Sequence, residues 1–252
     1  MGPRLAALCL LLSTFFAAVP AEAAGNPGVA AVRELAVPYR SQLDGNPWEL
    51  SDCGPASMAM VLGAFGKNVP TMEVRGLVND LEGTWYDTDA GTFIENFALL
   101  AQHYGLRAIG IFKPGSPPHN PAKADGKTLR RWTLDEVRQQ IDQGHPVIPQ
   151  VWYRGLPGRE RKPYGGDHFI VITGYDGDDF IYNDPIDKDG VGYERRISAS
   201  RLDIAWRNSD FPYAAIAFAG PPGRPAATAL PRPTPTAVPV LAAAAARSAN
   251  VE

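Results

Sequence analysis

The spacing of apolar positions divides the chain into a helical first half and a strand-rich second half. From Gly54 to Phe65, Met58, Val61, Leu62 and Phe65 recur at helical spacing, and Gly66 stands where a left-handed residue closes a helix. A second helix is predicted over Met72 to Asn79. A third runs over Thr92 to Tyr104, where Phe93, Phe97, Leu100 and Ala101 form one apolar stripe ahead of Gly105. Thr133 with Glu136 three residues on makes a capping box for a helix from Leu134 to Asp142, ended by Gly144.

Strands are predicted at Leu35–Arg40, Arg107–Phe112, Pro146–Tyr153, His168–Tyr175, Phe180–Asn183, Tyr193–Ile197 and Tyr213–Phe218, with a short helix near Ala199 to Trp206. Lys113 to Arg131 carries four prolines and few apolar residues, and reads as a long exposed loop. Helices first and antiparallel strands later define an α+β arrangement.

The two ends follow other rules. Arg4, the apolar run Leu5 to Val19 and the small residues around Ala21-Glu22-Ala23-Ala24 form the pattern of a secretory signal over residues 1–24, cut after Ala23 or Ala24. The run is shorter than the roughly 20 apolar residues a membrane span needs. The expected product is therefore secreted or extracytoplasmic, with no stable membrane span. Residues 25–34 read as a linker and 35–219 as one globular domain. Residues 220–252, rich in Pro and Ala, read as a disordered tail or surface stalk.

Composition narrows the function. The 252 residues are 45% hydrophobic, with 24 basic against 27 acidic side chains and no cluster of Lys or Arg, so nucleic acid is not an expected partner. Cys9 falls inside the signal, which leaves Cys53 as the one thiol of the mature chain. A lone thiol cannot form an internal disulfide, so Cys53 is either a small buried hydrophobe or a reactive group.

Its context is Ser51-Asp52-Cys53-Gly54-Pro55. Pro55 suits the first turn of a helix and Asp52 or Ser51 is the expected cap. Cys53 then sits where unpaired N–H groups and the helix dipole favour an anion. A thiolate is such an anion, and an imidazole partner would hold it ready as a nucleophile. Of the four histidines, His103 lies on the third helix, His119 in the proline-rich loop and His145 in a turn; each has an ordinary surface explanation. His168 differs, since it opens the apolar run Phe169-Ile170-Val171-Ile172 after Gly165-Gly166-Asp167.

The strand after His168 returns through Asp176-Gly177-Asp178-Asp179 and ends at Asn183-Asp184-Pro185. With a three-residue loop or a bulge, Asp184 becomes a diagonal neighbour of His168 on the same face. A two-residue Asp-Gly turn would put the two side chains on opposite faces. Gln42 could add a side-chain amide to the backbone N–H of Cys53 as an oxyanion donor, or be an ordinary solvated loop residue.

Two other features have plainer uses. Asp187-Lys188-Asp189-Gly190 resembles part of a calcium loop, but Pro185 and Arg196 occupy positions that need carboxylates, so a turn is expected there. Thr84 to Asp89, with Trp85 and Tyr86, reads either as an aromatic lip facing substrate or as a capped approach to the third helix. No zinc motif is present and no cofactor is expected.

The ordered set Val37-Pro38-Tyr39, Gln42, Asp52-Cys53-Gly54-Pro55-Ala56-Ser57-Met58-Ala59-Met60, Asp167-His168-Phe169 and Asn183-Asp184-Pro185 resembles the C-39-like cysteine peptidases, papain-fold relatives of the double-glycine leader peptidases. The resemblance covers roughly Leu35 to Phe218. It implies a papain-like fold in which the nucleophile helix packs on an antiparallel sheet. By the same resemblance Cys53 is nucleophile, His168 base, Asp184 orienting acid and Gln42 oxyanion residue, with a peptide or protein as substrate. The same triad would serve an acyltransferase or a cell-wall amide hydrolase, and a third reading is an inactive module that only binds peptides or surfaces.

Overall fold

The computed structural model describes residues 32–188, 190–221 and 227–228. The predicted signal, most of the predicted linker and nearly all of the predicted tail lie outside the described residues. The chain order is β1 (Val32–Glu34), α1 (Cys53–Ala64), α2 (Thr71–Glu82), α3 (Phe97–His103), β2 (Arg107–Ile109), α4 (Leu134–Asp142), β3 (Val147–Trp152), β4 (Asp167–Phe169), β5 (Val171–Asp176), β6 (Asp179–Asn183), β7 (Arg195–Ser198), α5 (Ala199–Arg207) and β8 (Ala215–Ala219). Its α+β class is the one the sequence predicts.

The strands form one antiparallel sheet in the order β2-β8-β3-β5-β6-β7, with β4 on β3 and β1 on β5. β1 takes the part of β5 beyond the single β3 pairing at Ile172, from Gly174 to Asp176. Both β3 and β8 are almost wholly buried, as the apolar run Ala215–Ala219 and the run Val147–Val151, broken only by Gln150, require.

α1 is buried on nearly every side, which its run of small and apolar residues from Pro55 to Leu62 permits. It packs on α2, β4 and β5. Met58, Met60 and Leu62 are fully enclosed, and each such side chain contributes roughly 1.5–3 kcal/mol. At its end Gly66 adopts φ +76°, and the Lys67 N–H returns to the Leu62 carbonyl at 2.9 Å. α4 carries the predicted capping box, with Thr133 and Glu136 each bonded to the other's backbone N–H.

Several segments depart from expectation. The first strand pairs at Val32–Glu34, with the Leu35 N–H still on the Thr173 carbonyl at 2.8 Å, and does not run on to Arg40: the Ala36 N–H instead meets the Thr228 carbonyl at 2.8 Å. Thus the last three residues of the predicted linker are strand. Two residues of the predicted tail also belong to the domain, since Ala227 is buried and bonds the Gly144 carbonyl. The third helix opens as a 3-10 turn over Ile94–Asn96 before α3. The predicted loop from Lys113 to Arg131 is closed at its base by a bridge from Phe112 to Leu129.

Candidate active site

Cys53 is the first residue of α1 and half-buried. The expected side-chain cap is absent. Asp52 is the N-cap, but its carboxylate turns inward, fully buried, onto Arg75 at 2.6 Å and Asn46 at 2.7 Å. Ser51 is likewise diverted, its hydroxyl donating to the Thr88 carbonyl. Charge pairing with a buried arginine competes with capping and wins, so no side chain occupies the N–H groups at the start of α1. Arg75 also donates to the Ser51 carbonyl at 2.9 Å and reaches the Ala90 and Gly91 carbonyls. One guanidinium thereby ties α2 and the following loop to the turn that presents Cys53.

His168 lies in β4 and is buried. Its Nε2 meets Asp184 Oδ1 at 2.8 Å. This geometry depends on a bulge. The β5–β6 turn spans only Gly177 and Asp178, with Asp176 opposite Asp179, a register that would send His168 and Asp184 to opposite faces. Between Ile172 and Gly174 the register shifts by one, so Val171 stands opposite Asn183 and the two side chains return to one face. β4 and β5 keep the same register against β3, so the correction carries through Ile170 to His168.

Asp184 is fully buried, and its two oxygens have different partners. Oδ1 serves His168 and Oδ2 accepts from Arg159 Nη2 at 3.0 Å. Arg159 Nη2 also meets Asp187 Oδ2 at 2.6 Å, and Arg195 closes on the same Asp187 oxygen at 2.8 Å. The fragment that resembles a calcium loop thus gives its Asp187 carboxylate to two guanidinium groups. Among the described residues no group of acidic, His or Cys side chains is arranged to hold a metal.

Burial alone would strip the His168 proton, but the Asp184 carboxylate and the neighbouring Cys53 outweigh it and hold the imidazolium up to about 10. Burial would likewise raise Asp184. His168 and Arg159 outweigh that and take it down to about 2. With Nε2 committed to Asp184, the nitrogen left to the Cys53 sulfur is Nδ1.

Gln42 is not a solvated loop residue: it is 1% exposed. Its backbone N–H bonds the Pro185 carbonyl at 2.7 Å, so its position is fixed to the segment that carries Asp184. The side-chain Nε2 donates one N–H to the Glu49 carbonyl at 2.8 Å, which folds the interval from Gln42 to Cys53 into a compact loop. An amide has a second N–H to offer.

The other histidines are engaged elsewhere. His119 bonds Asn96 at 2.7 Å and His145 bonds Gln140 at 2.9 Å, and burial lowers the pKa of both. His103 stands edge-on to Tyr104. Trp85 and Tyr86 are exposed, on the turn that the Ser51–Thr88 bond joins to the base of α1, beside exposed Leu50. Trp48 meets Trp85 edge-on at 6.1 Å. Tyr164 is exposed as well, and Tyr153 stands edge-on between it and His168, with ring centres 5.5 and 5.2 Å away.

Sequence reasoning missed Arg75 and Arg159. Arg75 had a detectable signal, falling on the inner face of α2 with Val74 and Val78. Arg159 had none, since Gly158-Arg159-Glu160-Arg161-Lys162 looks like a solvated charged loop.

A buried helix that opens on Cys53 and packs on an antiparallel sheet is consistent with the papain-like fold. The chain belongs to the Peptidase_C39 like family, whose model matches residues 34–213, and it is a cysteine peptidase. A Bacillus anthracis protein described as a C39-like peptidase shares the fold at a TM-score of 0.50 and 18% identity, over 74% of this chain and 96% of its own. Two further structures align at 20% identity. A double glycine motif protease from an AMS/PCAT transporter, solved with its leader peptide, has a TM-score of 0.44 over 75% and 97% of the two chains. The peptidase domain of Streptococcus ComA, a bi-functional ABC transporter, has 0.43 over 75% and 98%. No curated protein matches the chain.

Proposed function

We propose that the protein is an exported cysteine peptidase that hydrolyses peptide bonds through Cys53, His168 and Asp184, with Gln42 and the Cys53 N–H as oxyanion donors. The observation that carries this reading is the buried 2.8 Å bond from His168 to Asp184, which leaves Nδ1 of the ring to Cys53. The thiolate attacks the substrate carbonyl carbon, and the carbonyl oxygen takes up the negative charge against the oxyanion donors. The C–N bond then breaks as His168 gives its proton to the leaving amine. Water adds to the thioester with His168 taking its proton, and the C–S bond breaks to release the carboxylic acid and restore the thiolate.

The substrate in this reading is a peptide or an unfolded protein segment. The exposed Leu50, Trp85 and Tyr86 near the start of α1, and the exposed Tyr164 beyond Tyr153 and His168, support recognition of a peptide's apolar side chains. Export rests on the signal pattern of residues 1–24.

Digestion of a peptide library by the mature chain, with Cys53→Ala as control, tests the reaction. New free carboxylates that vanish in the variant support a peptidase. Products joined to an added amine would make it a transferase, and no product with either amine or water would sink the proposal. Expression of the full chain in a bacterial host tests export: the secreted protein should begin at Ala24 or Gly25 on N-terminal sequencing.

A further inference from the structure

Arg159 is the least expected member of the site. It stands on the turn after β3, where its backbone N–H bonds the Leu156 carbonyl at 3.1 Å, and its guanidinium lies 5.5 Å from the centre of the Tyr153 ring. Only 8% of the residue is exposed. A single nitrogen, Nη2, bridges the Oδ2 atoms of Asp184 and Asp187.

The surrounding charges balance. Asp184 and Asp187 carry two negative charges, Arg159 and Arg195 two positive ones, and the Cys53 thiolate with the His168 imidazolium adds zero. Tyr39, Tyr153 and Tyr182 are the other titratable groups that feel Asp184, and burial pushes all three phenols further above their usual range, so they add no charge. The Tyr39 hydroxyl donates to the backbone carbonyls of both acids.

We infer that Arg159 is a positioning residue of the hydrolase site: it locks the second oxygen of Asp184 and supplies the positive charge that lets Asp184 stay ionised behind His168. This inference rests on the triad reading above. The geometry bears it in two ways. With Oδ2 held by Arg159, the carboxylate cannot rotate away from His168 Nε2. Without Arg159, Arg195 would stay with Asp187 and the buried Asp184 would keep the His168 imidazolium as its one charged hydrogen-bond partner, so burial would push its carboxyl up toward the protonated form. Protonation of Asp184 removes the anion that steadies the imidazolium. Survival of both charges instead leaves surplus negative charge near Cys53. Either outcome disfavours the Cys53 thiolate.

The test is the rate of Cys53 alkylation by iodoacetamide against pH, which needs no knowledge of the substrate. Arg159→Met keeps the stem over Tyr153 and removes the charge, and its profile should move to higher pH by about half a unit or more, a shift readily caused by loss of a neighbouring charge. Arg159→Lys should restore the wild-type profile, because one ammonium can replace the single bridging nitrogen. Asp187→Asn leaves Arg159 in place for Asp184 alone and should shift the profile to lower pH, which keeps the test decisive if the methionine variant does not fold.

A superposable Arg159→Met profile, a lysine variant displaced as far as the methionine one, or an Asp187→Asn shift of zero or opposite sign would each overturn the inference. His168→Ala is measured in parallel. If it also leaves the profile unchanged, the triad reading falls; if it alters the profile while Arg159→Met does not, only the role of Arg159 falls.

Discussion

Asp184 meets His168 because β5 holds one residue more than β6 between their turn and their far ends, and that residue is Thr173. The two-residue turn at Gly177-Asp178 alone would have left the pair on opposite faces of the sheet. The bulge is therefore a part of the site, even though Thr173 itself touches neither side chain; its hydroxyl faces the Ile181 carbonyl.

The pair they form predicts how Cys53 reacts. Asp184→Asn keeps the shape and removes the charge that holds the His168 proton. The rate of Cys53 alkylation at pH 5–6 is expected to fall by about tenfold or more, the equivalent of one pKa unit of lost interaction. An unchanged rate in a variant of unaltered fold would show that the carboxylate does not support the imidazolium.

The same pair makes stability depend on pH. The His168 pKa is raised, to about 10, so its contribution is fully present below its unfolded value of roughly 6.5 and is lost as pH climbs through about 10. The Asp184 pKa is depressed, to about 2, so its contribution is present above roughly 3.8 and is lost as pH falls through about 2. The two are one coupled interaction and are not summed. The difference in melting temperature between wild type and His168→Gln should be greatest between about pH 4 and 6.5 and should shrink steadily toward pH 10. A difference that grows with alkaline pH would contradict the buried ion pair.

Much of this was legible in the chain because periodicity and punctuation are local. α4 with its Thr133–Glu136 box, α1 ending at Gly66, and a return strand ending at Asn183-Asp184 all follow from neighbours within a few residues. Cys53, His168 and Asp184 were nominated as candidates by the same local logic, and the fold brings His168 and Asp184 within hydrogen-bond distance. What stayed hidden depends on long-range competition. Asp52 had every local reason to cap α1, and only the approach of Arg75 from α2 diverts it. Arg159 becomes part of the site only because the turn after β3 folds over the end of β6. The short first strand is likewise decided by the approach of Thr228, nearly two hundred residues away in sequence.

Arg75 gives a stability prediction. Its guanidinium and the Asp52 carboxylate are both fully buried, and Arg75→Met would strand that carboxylate among polar partners reduced to Asn46. Breaking one side of a buried pair costs about 3–5 kcal/mol. Urea denaturation should register a loss of that order, and adding Asp52→Leu should recover part of it. A loss no larger than that of a surface arginine would show that the pair is not structurally important.

Packing is also tight beside Cys53. A Cβ on Gly54 would come within 2.7 Å of Thr92 Oγ1 and 2.8 Å of its Cβ. Thr92 can sit there only because residue 54 is glycine, and its buried hydroxyl has no hydrogen-bond partner. Gly54→Ala must therefore push Thr92 outward or tilt the first turn of α1, and overpacking of this kind costs about 1–3 kcal/mol. Because Cys53 is the adjacent residue, the tilt should also lower its alkylation rate. Thr92→Gly gives up no hydrogen bond and removes every side-chain atom in the way, the Cβ at 2.8 Å included, so the double variant should regain part of the stability and most of the reactivity. If Thr92→Gly fails to rescue the reactivity of Gly54→Ala, the demand for glycine after Cys53 lies in the backbone or in substrate access and not in this contact.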